Sequence, residues 1–444
     1  MARSNYLPHT PEDVRSMLDV IGVATVNDLY SAVPEQLRLK APYALPERMS
    51  EPELRRYFAA IAAKNTTLIC FAGAGFYNHA TPAAVESLMA RSEFLTAYTP
   101  YQPEISQGTL QYIFEYQTMM ARLTGLDVSN ASMYDGSTAT AEAMMMAVAA
   151  SRRRKRVLVS ATVDPMVREV LATYAEGGNV ILEEVPQQDG VTSRESMRQQ
   201  LGAGDVAGVI VASPNYYGII EDFSGVADEV HQAKALLIMN CHASPLGVLR
   251  TPGEWGADIA CGEAQSLGMP LNYGGPYLGY LCTTRALMRK MPGRIVGATT
   301  DADGHTVYVL TLQAREQHIR RQKASSNICS NQGIMTLHAA IYLSLMGDEG
   351  LRRVNARGAD AAHSLADGLC ATGKMELAYP DKPFLNEFLM RIAGSLDADR
   401  VLAALRGVGI LGGVKVEHDL LLVAATEMCT PKDIKLYINT VAAL

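Results

Sequence analysis

The chain has little of what marks several common classes of protein. Seven cysteines (Cys70, Cys241, Cys261, Cys282, Cys329, Cys370 and Cys429) are scattered over 444 residues, odd in number and never spaced as a CxxC pair. That pattern argues against a disulfide framework and a zinc site, and it suits a reducing, cytoplasmic setting. The nine histidines form no metal-like cluster, so no metal is expected; His79 and His242 fall in turn regions and read as structural. There is no basic surplus. The net charge is −7, which makes nucleic acid an unlikely partner. The longest uncharged stretch, Ala324 to Gly347, contains Ser330, Asn331, Gln332 and His338, and reads as a buried helix rather than a membrane span. The first ten residues lack the apolar core of a signal peptide. No internal repeat, GxSxG, Walker or Rossmann fingerprint is present.

What is present is a long chain with 48% hydrophobic residues and 19% charged ones, enough for a sizeable core and more than one domain. Six prolines between Pro8 and Pro52 break residues 1–65 into an extended arm with short helices. From about residue 66 short apolar runs alternate with helical stretches. Arg156–Ala161, Asn179–Val185, Val206–Ala212, Ala235–Asn240 and Asp258–Cys261 read as strands. Between them, Asp164–Ala175 reads as a helix, with Asp164 as N-cap, Pro165 in the first turn, and Gly177 and Gly178 ending it. The alternation predicts an α/β fold: a mainly parallel sheet covered on both faces, over residues 66–330. A smaller α+β unit is expected over 331–444. Its parts are helices near 331–345 and 350–371, strands near Asn386–Ile392 and Leu420–Ala425, and a last helix from Pro431.

Two stretches carry candidate chemistry. In Tyr134–Ala147, the residues Gly136, Ser137 and Thr138 precede an Ala/Met-rich helix. They could cradle a phosphate at the helix start, or simply cap the helix over a Met-rich core face. In Ala235–Tyr280 a strand ends at Asn240, and dense glycines and prolines follow around Glu263–Pro270 and Gly274–Pro276. They mark tight turns with accessible backbone.

The order of strands and turns resembles the aspartate-aminotransferase-like fold (fold type I) of pyridoxal-phosphate enzymes. In that fold an aspartate meets the pyridine nitrogen and a lysine forms the Schiff base. The matching positions here hold Asn240 and Gln265, and no lysine occurs between Lys234 and Lys290. Asparagine cannot hold the pyridinium charge, and an amide cannot form an imine. Longer strings resemble one family: YLPHT from Tyr6, FAGAGFYNHATP from Phe71, FLTAYTPYQPEISQG from Phe94, EAQSLGMPLNYGGPYLG from Glu263 and REQHIRRQKASSNICSNQ from Arg315. This is the alpha subunit of the two-subunit glycine dehydrogenase (decarboxylating).

The resemblance implies that pyridoxal phosphate sits in a separate beta subunit of the same fold. Two alphas and two betas would assemble as a heterotetramer. The complex would decarboxylate glycine and pass the aminomethyl group to the lipoyl disulfide of the H-protein. No catalytic residue is expected on this chain. Tyr98, Thr99, Tyr101, Gln102 and Glu104, stiffened by Pro100 and Pro103, could line the route to the partner's site or pack the interface. Arg315, His318 and Arg320 could meet a substrate carboxylate or phosphate, or form a solvated helix face. The run Arg152–Arg156 could dock an acidic carrier or be a solvated helix end. Against this stand a purely structural or regulatory subunit, and an autonomous pyridoxal-phosphate enzyme.

Overall fold

The computed structural model describes residues 8–41, 43–95, 99–151, 153–324 and 326–444. Two compact units emerge, Met1–Thr66 and Thr67–Leu444. In the first, helices Pro11–Ile21 and Glu51–Ala62 each start with a proline in the first turn and a reciprocal cap, Thr10 with Asp13 and Ser50 with Glu53.

The second unit is built on seven strands: β1 (Val128–Ser129), β2 (Arg156–Ser160), β3 (Ile181–Val185), β4 (Val206–Ala212), β5 (Leu236–Asn240), β6 (Ile259–Glu263) and β7 (Gly279–Thr283). Their spatial order is β1-β7-β6-β5-β4-β2-β3. Only β7 runs against its neighbours, so the sheet is mainly parallel, as the alternation predicts. All seven residues of β4 are buried. Successive side chains point to opposite faces. Leu158, Val209, Val211, Leu237 and Met239 join one core. Val157, Val159, Ala207, Ile210 and Ile238 join the other.

Three helices shape the region around the sheet's carboxyl edge: α1 (Gln107–Thr124), α2 (Gly136–Ser151) and α3 (Pro165–Gly178). Helix α3 ends with the glycine pair, but neither glycine is its left-handed cap. Gly177 and Gly178 are its last two residues, and Asn179 (φ 53°) provides the left-handed cap. Asparagine tolerates that conformation, so the chain turns one residue later than the glycines suggest. Helix α4 spans Gly333–Ala371, with a break at Gly347 (φ 59°), so the two helices read from sequence meet at one kink.

After β7 come a hairpin, β8 (Ile295–Thr300) with β9 (Thr306–Thr311), and then an antiparallel sheet. The sheet comprises β10 (Met375–Leu377), β11 (Glu387–Ile392), β12 (Val414–Lys415) and β13 (Leu420–Ala424), in the order β10-β11-β13-β12. The last helix, α5 (Pro431–Ala442), is capped by Thr430 and Asp433.

Candidate functional site

The carboxyl ends of β5 and β6, the start of α2, the start of α3 and the segment 71–80 enclose a cavity of about 570 Å³. Ligands of open parallel sheets bind at such strand ends. Asn240 is the last residue of β5 and is buried; its amide donates to Thr140 Oγ1 at 2.6 Å. Two residues beyond β6 lies Gln265, with no solvent exposure. Its Oε1 accepts from Tyr77 N at 2.9 Å, and its Nε2 donates to Tyr77 O at 2.9 Å and Met269 O at 2.6 Å. The amide therefore clamps the 71–80 segment, using both its acceptor and its donors.

That segment is tied down along its length. Ala74 N and Tyr77 Oη (2.9 Å) both donate to the Glu387 carboxyl on β11. His79 Nδ1 meets Glu427 at 2.9 Å, a buried pair that joins the segment to the loop before α5. The turn Gly73-Ala74-Gly75 needs small residues. A Cβ at Gly73 would overlap Glu387 Oε1, and Gly75 (φ 94°) lies against the His242 ring.

The start of α2 is occupied by the chain's own carboxylates. Gly136 N donates to Glu263 Oε2 at 2.9 Å; Thr138 N donates to Asp135 Oδ1 at 2.7 Å. The other Glu263 oxygen accepts from Gln265 N and Leu278 N, both at 3.0 Å. Glu263 is 4% exposed, and burial raises its carboxyl to about 7. Burial does the same to Glu387, helped by the nearby Asp164 carboxylate, and to Glu142 inside α2. Burial alone lowers His242 to about 4, so its imidazole is neutral at ordinary pH.

The raised Glu387 gives a pH prediction. Its folded pKa lies above the unfolded value of about 4.3. Below that value both states are protonated, and its contribution to stability is complete. Between about 4.3 and 7 the unfolded chain releases the proton first, so stability falls as pH rises. Glu387→Gln should remove this pH-dependent loss, which is on the order of 3–4 kcal/mol. Urea melts of both proteins at several pH values from acidic to neutral check it; parallel curves for the two would refute the assignment.

Pyridoxal phosphate does not fit this cavity. Gln265 offers no amine, Asn240 offers no charge, and the Gly136 N–H already serves Glu263. Among the described residues the cavity lining contains Asp164, Glu263 and Glu387 but no lysine or arginine, so the acidic groups that a phosphate dianion would meet have no cation beside them.

The other sequence candidates split into two groups. Tyr98 lies outside the described residues. Thr99 to Glu104 form a loop with Gln102 and Glu104 exposed. Tyr101, 50% exposed, packs its ring edge against His318, centroids 5.9 Å apart, so the structure unites these two. The residue that joins them was not singled out from sequence. Arg294, buried, lies over the Tyr101 ring, bonds Cys329 O at 2.8 Å and Asn331, and approaches Glu316 at 4.0 Å. No sequence signal marks it, because its partners are distant in the chain.

Arg315 and Arg320 fall elsewhere. They line a smaller, separate cavity with Arg289, Lys290 and Glu142. Arg315 spends its guanidinium on the carbonyls of Leu312 and Gly293. In the basic run, Arg154 bonds three carbonyls (Val206, Ala233, Lys234) and Arg156 pairs with Glu183 and Asp205, so both serve the fold. Asp301, Asp303 and His305 cluster at the exposed β8–β9 turn, where their own backbone and side-chain bonds account for them.

Comparison with known proteins bears on the family and the fold. Residues 4–441 match the family described as glycine cleavage system P-protein. The chain is 48% identical over 439 residues to the probable glycine dehydrogenase (decarboxylating) subunit 1 of Maridesulfovibrio salexigens, covering 97% of this chain and 98% of that one. It is 50% identical to the protein of the same description from Moorella thermoacetica over 386 residues, covering 87% and 86%. A crystal structure of glycine decarboxylase (P-protein) of the glycine cleavage system, in inhibitor-bound form, superposes with a TM-score of 0.92 at 41% identity, covering 99% of this chain and 100% of that chain. A sphingosine-1-phosphate lyase from Burkholderia pseudomallei (TM-score 0.68, 13% identity, covering 93% and 94%) shares the fold alone. With a full-length family match, relatives near half identity and a superposable P-protein, this chain belongs to the glycine cleavage system P-protein family.

Proposed function

We propose that the chain is subunit 1, the alpha subunit, of a two-subunit glycine dehydrogenase (decarboxylating), and works without a cofactor of its own. The observation that carries this is Gln265. On this reading Gln265 is the counterpart of the Schiff-base lysine, and it is a buried amide with its acceptor and both donors engaged. The family's reaction calls for pyridoxal phosphate, which would supply the electron sink for decarboxylation. Its holder is then a beta subunit, with the lipoyl arm of the H-protein as acceptor of the aminomethyl group and a heterotetramer of two alphas and two betas as the assembly.

The arm supports a partnered chain. Val20, Leu37, Leu39 and Leu45 are each more than two-thirds exposed, apolar side chains that a partner would cover. This chain's own contribution is positional. The loop Thr99–Glu104 presents Tyr101, Gln102 and Glu104, and the Tyr101 ring is held between Arg294 and His318. Such a loop can complete a neighbour's channel and fix a polar substrate group.

Separately purified alpha and beta chains, assayed for glycine-dependent exchange of carbon dioxide with H-protein, test the reading. Activity is expected only from the mixture. Full activity of beta alone, or pyridoxal phosphate bound covalently to alpha alone, would overturn it. Within the active complex, Tyr101→Ala and Glu104→Ala should each lower kcat/KM about tenfold, roughly 1.4 kcal/mol, with assembly unchanged. Undiminished turnover in both would make the subunit purely structural.

A further inference from the structure

Arg294 is buried where three segments of the chain meet. Its guanidinium lies over the Tyr101 ring, 5.3 Å from the centroid. Nη2 donates to Tyr101 Oη at 3.3 Å and to Cys329 O at 2.8 Å, and Nη1 donates to Asn331 Oδ1 at 3.2 Å. Nε lies 4.0 Å from the carboxylate of Glu316, which is also buried. Glu316 in turn approaches His318 Nδ1 at 3.5 Å, and the His318 and Tyr101 rings meet edge-on. Tyr101, Arg294, Glu316 and His318 thus close a ring of contacts. A planar fork of five donors can stack on an aromatic face and bond several acceptors at once; a lysine ammonium has three donors and no plane.

We propose that Arg294 is a positioning residue for glycine decarboxylation: it holds Tyr101 in the pose in which the loop serves the partner's channel. This rests on the proposed role of Thr99–Glu104 in completing that channel. Tyr101 is 50% exposed, so part of its ring is open to a neighbour while the rest is held. The downstream end of the loop has its own anchor. Gln107 donates to Pro103 O at 2.7 Å and exchanges bonds with the Tyr308 backbone of β9 at 2.8 and 2.9 Å. Among the described residues the Tyr101 hydroxyl bonds Arg294 alone. A group displaced by a fraction of an ångström at a reacting centre lowers the rate even when the displaced support is remote.

Positioning and mere stability make different demands on Tyr101. Arg294 is buried, so it acts on the reaction only through the half-exposed ring above it. If it served stability alone, its loss would lower activity by the same factor whether residue 101 carried a ring or not. If it serves to position the ring, its loss matters only while the ring is present, and the two losses do not multiply.

The experiment is a double-mutant cycle on the reconstituted complex, read as kcat/KM for glycine-dependent exchange of carbon dioxide with H-protein. Arg294→Lys keeps the charge beside Glu316 and loses the fork. Arg294→Met/Glu316→Gln removes both buried charges, so neither is left unpaired, and it keeps the test open if the lysine variant folds poorly. Each is expected to lower kcat/KM at least about threefold when Tyr101 is present, and less than about twofold in the Tyr101→Ala background. Hydrogen exchange of the full-length chain gives a second readout: the peptide covering residues 99–105 should exchange at least about threefold faster in both variants. Unchanged kcat/KM, losses that multiply in the cycle, or unchanged exchange of that peptide in a folded variant would each overturn the proposal while leaving the role of the loop intact. Undiminished turnover in Tyr101→Ala would instead sink the role of the loop, and that of Arg294 with it, so the two failures are told apart.

Discussion

Gln265→Lys is expected to lower the stability of the chain by about 3–5 kcal/mol and to leave it unable to hold pyridoxal phosphate. The amide accepts from Tyr77 N and donates to Tyr77 O and Met269 O at a position with no solvent exposure. An ammonium can donate to both carbonyls but cannot accept, so the Tyr77 N–H is left buried and unpaired. The added charge is desolvated with only Glu263 close by in the chain, and that carboxyl is already committed to three N–H groups. For a unit of this size such a loss corresponds to a melting point lower by about 4–6 °C. Restoring the amine does not restore the cradle, because Gly136 N–H still faces Glu263. Thermal melts and absorbance after incubation with the cofactor check both halves. A variant as stable as the parent that takes up the cofactor covalently would mean that Gln265 is an incidental replacement, not a clamp.

Gly262→Ala should be at least as damaging, costing about 4 kcal/mol or more and leaving little soluble protein. Gly262 lies inside β6 with φ 150°, and a Cβ there would stand 2.0 Å from the carbonyl oxygen of Cys241. That is backbone, which cannot rotate aside. Cys241 N bonds Cys261 O at 2.9 Å, so the two chains are pinned together where the methyl would enter. Relief requires parting β5 from β6, which carry Asn240 and Glu263 to the cavity. Gly177→Ala is the control. It is helical, a Cβ meets nothing within 4 Å, and the change should stabilise the chain by about 0.5–1 kcal/mol. Soluble yield and urea midpoints separate the two; a well-behaved Gly262→Ala would show that the β5–β6 approach is looser than its geometry.

Much of the fold was readable because its signals are local. Strands β2, β4 and β5 are short apolar runs, and they appear within a residue of their expected bounds. Pro165 and Pro431 sit at helix starts where proline costs nothing. The glycine pair ends α3 as read, but its left-handed cap was not legible, because a glycine pair is a permissive signal. Which residue turns left-handed depends on how the helix meets β3, and Asn179 does so. The site was only partly readable. Asn240 and Gln265 stand out by residue type against the fold's usual chemistry. Glu263, Glu387, His242 and Arg294 do not, since each draws its role from a contact across the fold: Glu263 with Gly136, Glu387 with Tyr77, Arg294 with Tyr101.

The sequence by itself determined the alternation of strands and helices, the family, and the lack of any lysine between Lys234 and Lys290. These depend on residue identity and on periodicity over a few turns of chain, which folding does not alter. Only the tertiary structure decided what replaced the lost chemistry: an amide turned into a clamp on residues 71–80, a carboxylate lodged at the start of α2, and an acidic cavity left between them. Hydrogen bonding and burial are set by groups that meet from opposite ends of the chain, so these roles exist only once the two ends are brought together.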